Sequence, residues 1–255
     1  IHTRSIHTFA RGPEPGTFLH DILERAAAYG FDRVASDRDT TLKQVTQLCQ
    51  RRGWEEWADV LTNWLINVVR VELTLPGLTM QSMKLTDLAQ NLCRAEMEFM
   101  FEAHGVGIPV LDRLVGTFIL PGNIRPVLRE DRVNGMLKGF IDLVFCFQGR
   151  YFVLDYKSNH LGDSEGAYGK ETMAGAILEH RYDLQYVLYI LALHRLLKAR
   201  LGDYDYDRDV GGAVYLFLRG VNRLGHGVYV DKPPKELIST LDQLFREGDS
   251  HDNPC

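Results

Sequence analysis

The order of secondary-structure signals predicts an α/β fold, a sheet flanked by helices with a helical region ahead of its first strand. Three observations lead there. Residues 31–94 carry apolar side chains mainly at helical spacing. Residues 96–157 are dominated by strand-forming runs, two of them joined by Gln148-Gly149-Arg150. Residues 171–247 return to helical sequence and hold one near-continuous apolar run, 212–218. A helical region at 1–94 and a strand-bearing core at 95–255 are therefore expected.

The elements follow in chain order. Residues 1–16, with Arg4, Arg11, Gly12, Pro13 and Pro15, read as an arm or loop. Thr17 suits an N-cap, and 18–26 reads as a helix whose apolar stripe is Phe18, Leu19, Ile22, Leu23 and Ala26. His20 lies off that stripe, beside Glu24. Leu42, Val45, Leu48 and Cys49 share a helix face, with Gly53 as the stop. Trp54, Trp57, Leu61, Trp64, Leu65 and Val68 form a stronger stripe, which is read as core. Pro76-Gly77 breaks the pattern, and 86–94 reads as a further short helix. Residues 96–101 alternate as a half-buried strand, with Glu96 and Glu98 on one face, turned to solvent or, for one of them, into a cleft. A short helix is expected at 111–115.

Runs 140–147 and 151–157 are rich in β-branched and aromatic residues and read as a hairpin. A polar, Gly-rich loop occupies 158–169, and helices are expected at 171–180 and 182–200. Residues 203–209 read as an acidic loop. The 212–218 run suits a strand covered on both faces. A short strand at 227–230 and a helix within 233–247 close the fold, with a frayed end.

Composition excludes little but bounds the rest. The chain has 255 residues, 45% hydrophobic and 25% charged, which is ordinary for a globular protein large enough to bury a core. No apolar run reaches membrane-spanning length and no signal peptide is apparent, so a cytoplasmic protein without membrane contact is expected. Its first residue is Ile, as expected of a piece of a longer or processed chain. Cys49, Cys93, Cys146 and Cys255 form no C-x-x-C pair and read as reduced thiols without zinc or iron–sulfur spacing. A net charge of −5 speaks against a free-standing nucleic-acid binder, although carboxylates gathered round a metal also make a chain acidic.

Three charges interrupt the hairpin: Asp142, Asp155 and Lys157. Charge amid apolar strands is costly unless something pairs with it. Asp155 and Lys157 are two apart and share a face, and Asp142 can reach it across the hairpin. Two carboxylates suit Mg²⁺ or Mn²⁺. The Tyr156 backbone carbonyl is a candidate third ligand, and an imidazole such as His20 a fourth. A cation there would polarise a phosphate oxygen and lower the pKa of a bound water for in-line attack, with Lys157 steadying the nucleophile or the transition-state charge. Gln185 and Tyr189, at i and i+4, share a helix face. A structural Asp–Lys pair beside one buried aspartate is the alternative.

Gly-Phe-Ile-Asp (139–142), Asp-Tyr-Lys-Ser-Asn (155–159) and Gln185-Tyr186-x-x-Tyr189 resemble the signature blocks of the RecB-type nucleases in the PD-(D/E)xK superfamily. Residues 15–20, 96–99, 181–186 and 215–221 extend the likeness to the C-terminal nuclease domains of RecB-type exodeoxyribonuclease V β subunits. The resemblance implies a restriction-endonuclease-like mixed sheet. It implies metal ligation by His20, Asp142, Asp155 and the Tyr156 carbonyl, a catalytic Lys157, and Gln185 and Tyr189 as substrate- and site-positioning residues. It further implies Mg²⁺-dependent cleavage of DNA, mainly single-stranded, without an iron–sulfur cluster, in a helicase-nuclease of double-strand-break repair and recombination. The partners implied are the RecB helicase region, RecC, RecD and RecA. A catalytically silent nuclease fold that recruits partners such as RecA is the second reading, and a phosphohydrolase of small phosphates the third.

Overall fold

The computed structural model describes residues 4–78, 82–222 and 225–249. Cys255 and the end expected to fray lie outside them. Cys49, Cys93 and Cys146 are free thiols. No helix among the described residues is long and apolar enough to cross a membrane.

Five strands form one sheet in sequence order: β1 (Cys93–Gly107), β2 (Arg132–Phe147), β3 (Arg150–Lys157), β4 (Val210–Phe217) and β5 (Val228–Asp231). Only β3 and β4 pair in parallel, so the sheet is mixed. That pair needs a crossover, supplied by α6 (Lys170–Glu179) and α7 (Tyr182–Arg200). All eight residues of β4 are buried, as its unbroken apolar run requires.

Helices cover both faces. On one lie α1 (Pro13–Tyr29), α2 (Phe31–Ser36), α3 (Arg38–Gln50) and α4 (Ala58–Val69). Their buried stripes, among them Phe18, Leu19, Ile22, Leu61 and Leu65, share one core with Phe145, Phe152, Leu154, Val214 and Leu216 of the strands. On the other face lie α5 (Ile108–Phe118), α6, α7 and α9 (Lys235–Glu247), packed on Val144, Val153, Ala213 and Phe217. A one-turn helix, α8 (Tyr206–Asp209), leads into β4.

Several local expectations need correction. Thr17 is not the N-cap: α1 begins a turn earlier, at Pro13 after Gly12. Proline's missing N–H costs nothing in a first helical turn, so a segment read as loop is helical. The short helix at 86–94 is replaced by two 3₁₀ turns, Leu85–Asp87 and Gln90–Leu92, and by the start of β1. Part of the acidic 203–209 loop is α8, which Asp205 caps by accepting from the Arg208 N–H at 2.9 Å. Strand β2 extends back to Arg132 alongside β1, and the turn to β3 is the two residues Gln148 and Gly149, both at positive φ.

Candidate active site

The site lies where the hairpin opens. The last paired residues of β2 and β3 are Leu143 and Leu154. Beyond them β2 leaves β3 and continues beside β1 alone. Asp142 stands just past the split, and its Oδ2 accepts a 2.7 Å hydrogen bond from the Tyr156 backbone N–H. The carboxylate thus takes a donor that the diverging strand no longer engages.

From the same split the side chains divide. His20, on α1, brings its Nδ1 to 3.4 Å from Asp142 Oδ2 and meets the Tyr156 ring edge-on at 5.8 Å. Burial acts to lower the His20 pKa, but contact with Asp142 and the charges of Asp142 and Asp155 outweigh it and raise the value. Asp155 and Lys157 are both buried, with Lys157 Nζ 2.5 Å from Asp155 Oδ2. Burial first, then the neighbouring Asp142 charge, raises the Asp155 pKa in spite of Lys157. Lys157 also donates to Gln185 Oε1 at 2.6 Å, and Gln185 Nε2 donates to the Tyr189 hydroxyl at 2.8 Å. Gln185 and Tyr189 lie one turn apart on α7, as the i, i+4 spacing predicts.

The structure therefore brings His20, Asp142, Tyr156, Asp155, Lys157, Gln185 and Tyr189 into one connected cluster, with His20 supplied from one helical layer and Gln185 and Tyr189 from the other. Among the described residues no three His, Cys, Asp or Glu side chains form a ready-made ion cage. Asp142 is engaged by Tyr156 and His20, and Asp155 by Lys157. The donor chemistry nonetheless suits a hard cation: Asp155 Oδ2 is buried without a hydrogen bond, since the Lys157 contact lacks hydrogen-bond geometry.

Two glutamates on β1 resolve differently. Glu98 pairs with Lys138 at 2.6 Å on the exposed ribbon. Glu96 has a left-handed φ of 47° and lies between the register pairs Ala95–Leu143 and Met97–Ile141, opposite Asp142. Its carboxyl is raised by partial burial, then by Asp142 and Glu24. Glu96 belongs electrostatically to the cluster, a membership that alternation alone left open. Tyr182 and Tyr215, whose rings flank the Lys157 ammonium at 3.8 and 4.8 Å, were not singled out for the site in sequence: Tyr215 lies in an apolar run that reads as core, and Tyr182 carries no spacing signal of its own.

A model of the PD-(D/E)XK nuclease superfamily matches residues 3–250. The chain is 40% identical over 247 residues to the RecBCD enzyme subunit RecB of Escherichia coli (strain K12), covering 95% of this chain and 20% of that protein. It is 37% identical over 238 residues to the RecB subunit of Haemophilus influenzae, covering 92% and 18%. To that of Buchnera aphidicola subsp. Schizaphis graminum it is 32% identical over 243 residues, covering 95% and 20%. The chain thus spans about a fifth of the length of these relatives.

Proposed function

The chain belongs to the PD-(D/E)XK nuclease superfamily, and from that membership we propose that it hydrolyses phosphodiester bonds of DNA in a Mg²⁺-dependent reaction. The convergence of Asp142, Asp155 and Lys157 at the split hairpin carries this reading. In it, Asp142, Asp155, His20 and the Tyr156 carbonyl hold the metal. When bound, a divalent ion supplies Lewis-acid polarisation of a phosphate oxygen and a water acidic enough to lose its proton near neutral pH. Ligation would draw on Asp155 Oδ2, whose contact is the Lys157 ion pair, and on Asp142, whose Oδ2 already accepts from the Tyr156 N–H and meets His20. Lys157 provides a fixed positive charge beside the phosphate, where charge builds as the phosphorus–oxygen bond breaks. Gln185 orients that ammonium, and Tyr189 orients Gln185.

We extend the proposal, on the resemblance of the signature blocks to RecB-type nucleases, to single-stranded DNA as the main substrate and an exodeoxyribonuclease V type of activity in break repair and recombination. In the proposed setting residues 95–255 act as nuclease core and residues 1–94 carry His20; the relatives' name, RecBCD enzyme subunit RecB, supports RecC and RecD as partners, and the RecB helicase region and RecA are added as proposed further ones. Cleavage of a labelled single-stranded oligonucleotide with Mg²⁺ tests the reading. Wild type should cut, and Asp155→Ala should lose at least a hundredfold in rate. Equal activity in both would refute the site assignment. Wild type unable to cut even with its partners, yet still binding one of them, would favour a silent recruiting module.

A further inference from the structure

Lys157 stands in an aromatic corner to which the nuclease reading gives no task. Its Nζ lies 3.8 Å from the centre of the Tyr182 ring and 4.8 Å from that of Tyr215. The two rings meet edge-on, 5.9 Å apart at 89°, and so form adjoining walls. The ammonium's other partners are Gln185 Oε1 at 2.6 Å and Asp155 Oδ2 at 2.5 Å. An ammonium has three hydrogens; here Gln185 Oε1 accepts one, Asp155 Oδ2 makes an ion-pair contact, and the nearer ring face meets donor capacity that the oxygens leave unused. Water is nearly excluded, since Lys157 is 7% exposed, and a desolvated cation over a tyrosine face is attracted strongly.

The walls are themselves fastened. The Tyr182 hydroxyl donates to Asn159 Oδ1 at 3.2 Å, in the loop after β3, and the Tyr182 ring stacks with His180 at 5.3 Å. The Tyr215 hydroxyl is 2.9 Å from Gln185 Oε1 and 3.2 Å from the Tyr182 carbonyl, two acceptors for its one proton. Gln185 Oε1 therefore faces two donors, which fixes the direction of its amide and aims Nε2 at Tyr189.

We propose that Tyr182 and Tyr215 are positioning residues that cage the Lys157 ammonium beside the scissile phosphate. The inference rests on the nuclease reading and adds a reason for the cage. A lysine held by Asp155 alone would follow that carboxylate whenever it turned to another cation, because the four-carbon stem is flexible. Two ring walls keep the charge in place while Asp155 is otherwise engaged. Ring shape, not the hydroxyl, does this at position 182.

The test compares Tyr182→Leu, which removes the wall, with Tyr182→Phe, which keeps it. With Mg²⁺ and a single-stranded oligonucleotide, Tyr182→Leu should lower kcat about tenfold with KM within about twofold, and Tyr182→Phe should recover most of kcat. An activity-independent readout is the lysine Hε signal in NMR spectra of the full chain. One lysine should be shifted upfield by the rings, identified by its loss in Lys157→Arg. It should stay in Tyr182→Phe and move downfield toward the ordinary lysine position in Tyr182→Leu, where only the farther Tyr215 ring remains. An unmoved signal in Tyr182→Leu would overturn the cage, as would an unchanged kcat. Wild-type activity in Lys157→Ala would instead defeat the nuclease reading, and the NMR signal would still decide whether the cage exists.

Discussion

Gly139 stands across the sheet from Phe99, and a Cβ there would lie 2.6 Å from the Phe99 ring. That ring also meets Tyr189 edge-on at 5.6 Å. The first residue of the Gly-Phe-Ile-Asp block is thus small so that an aromatic side chain can cover it and buttress the site helix. Gly139→Ala should displace the half-buried Phe99 ring, and we expect a loss of about 1 kcal/mol in urea unfolding, at the low end for overpacking, together with reduced cleavage. Arg219 makes a comparable case. It is buried without an ion pair among the described residues and donates to the carbonyls of Ser158, Ile6, Phe9 and Ala10. Those four bonds tie the segment before α1 to the loop after β3, and so anchor the helix that carries His20. Lysine has three hydrogens for four carbonyls, so Arg219→Lys should cost about 1.5–3 kcal/mol through at least one lost charged hydrogen bond. A variant as stable as wild type in the same titration would contradict that account.

Among elements, the β2–β3 turn shows how a short signal becomes geometry. Gln148 has φ 49° and Gly149 φ 75°, the left-handed pair that a two-residue turn needs to match strand twist. Gly149→Ala should cost about 1 kcal/mol, read as a lower thermal midpoint, because alanine resists that conformation. At the other side of the molecule, α7 and α9 are joined through Asp242. Arg195 Nε donates to it at 2.7 Å, and His194, Lys198 and Arg246 also face it. Burial pushes the Asp242 carboxyl up, but the Arg195 hydrogen bond and the surrounding positive charges pull it below its ordinary value. A depressed folded pKa means stability that is present above the unfolded pKa, about 4, and lost as pH falls through the lower folded value. Asp242→Asn should flatten stability across that acid window while lowering it at pH 7. An unchanged acid limb in pH-dependent denaturation would remove Asp242 from the account.

At the scale of the whole molecule, the helices of 1–94 form one of the two layers the sheet requires. Phe145, Phe152, Leu154, Val214 and Leu216 share their core with α1–α4. Trp64 on α4 donates its indole N–H to the Leu218 carbonyl at 2.8 Å, and the Leu218 N–H in turn donates to the Lys157 carbonyl at 2.9 Å. A fragment holding only 95–255 would expose that apolar face, so we expect it to aggregate or to bind a hydrophobic dye strongly. A monomeric, cooperatively unfolding fragment would show that the face can be covered otherwise.

What the chain determined by itself was local. Periodicity marked the helical stripes and the hairpin, and Asp142, Asp155 and Lys157 were visible because charge is conspicuous amid apolar strand residues. Gln185 and Tyr189 were legible from spacing on one helix. The tertiary structure decided what depends on distant segments meeting: that β2 and β3 part after Leu143 and Leu154, and that Asp142 spans the gap to the Tyr156 N–H. It also decided that His20 arrives from the opposite layer, and that Tyr182 and Tyr215 wall in Lys157. Spacing along a chain specifies which side chains share a face. Where two strands separate is settled only by packing from both sides of the sheet.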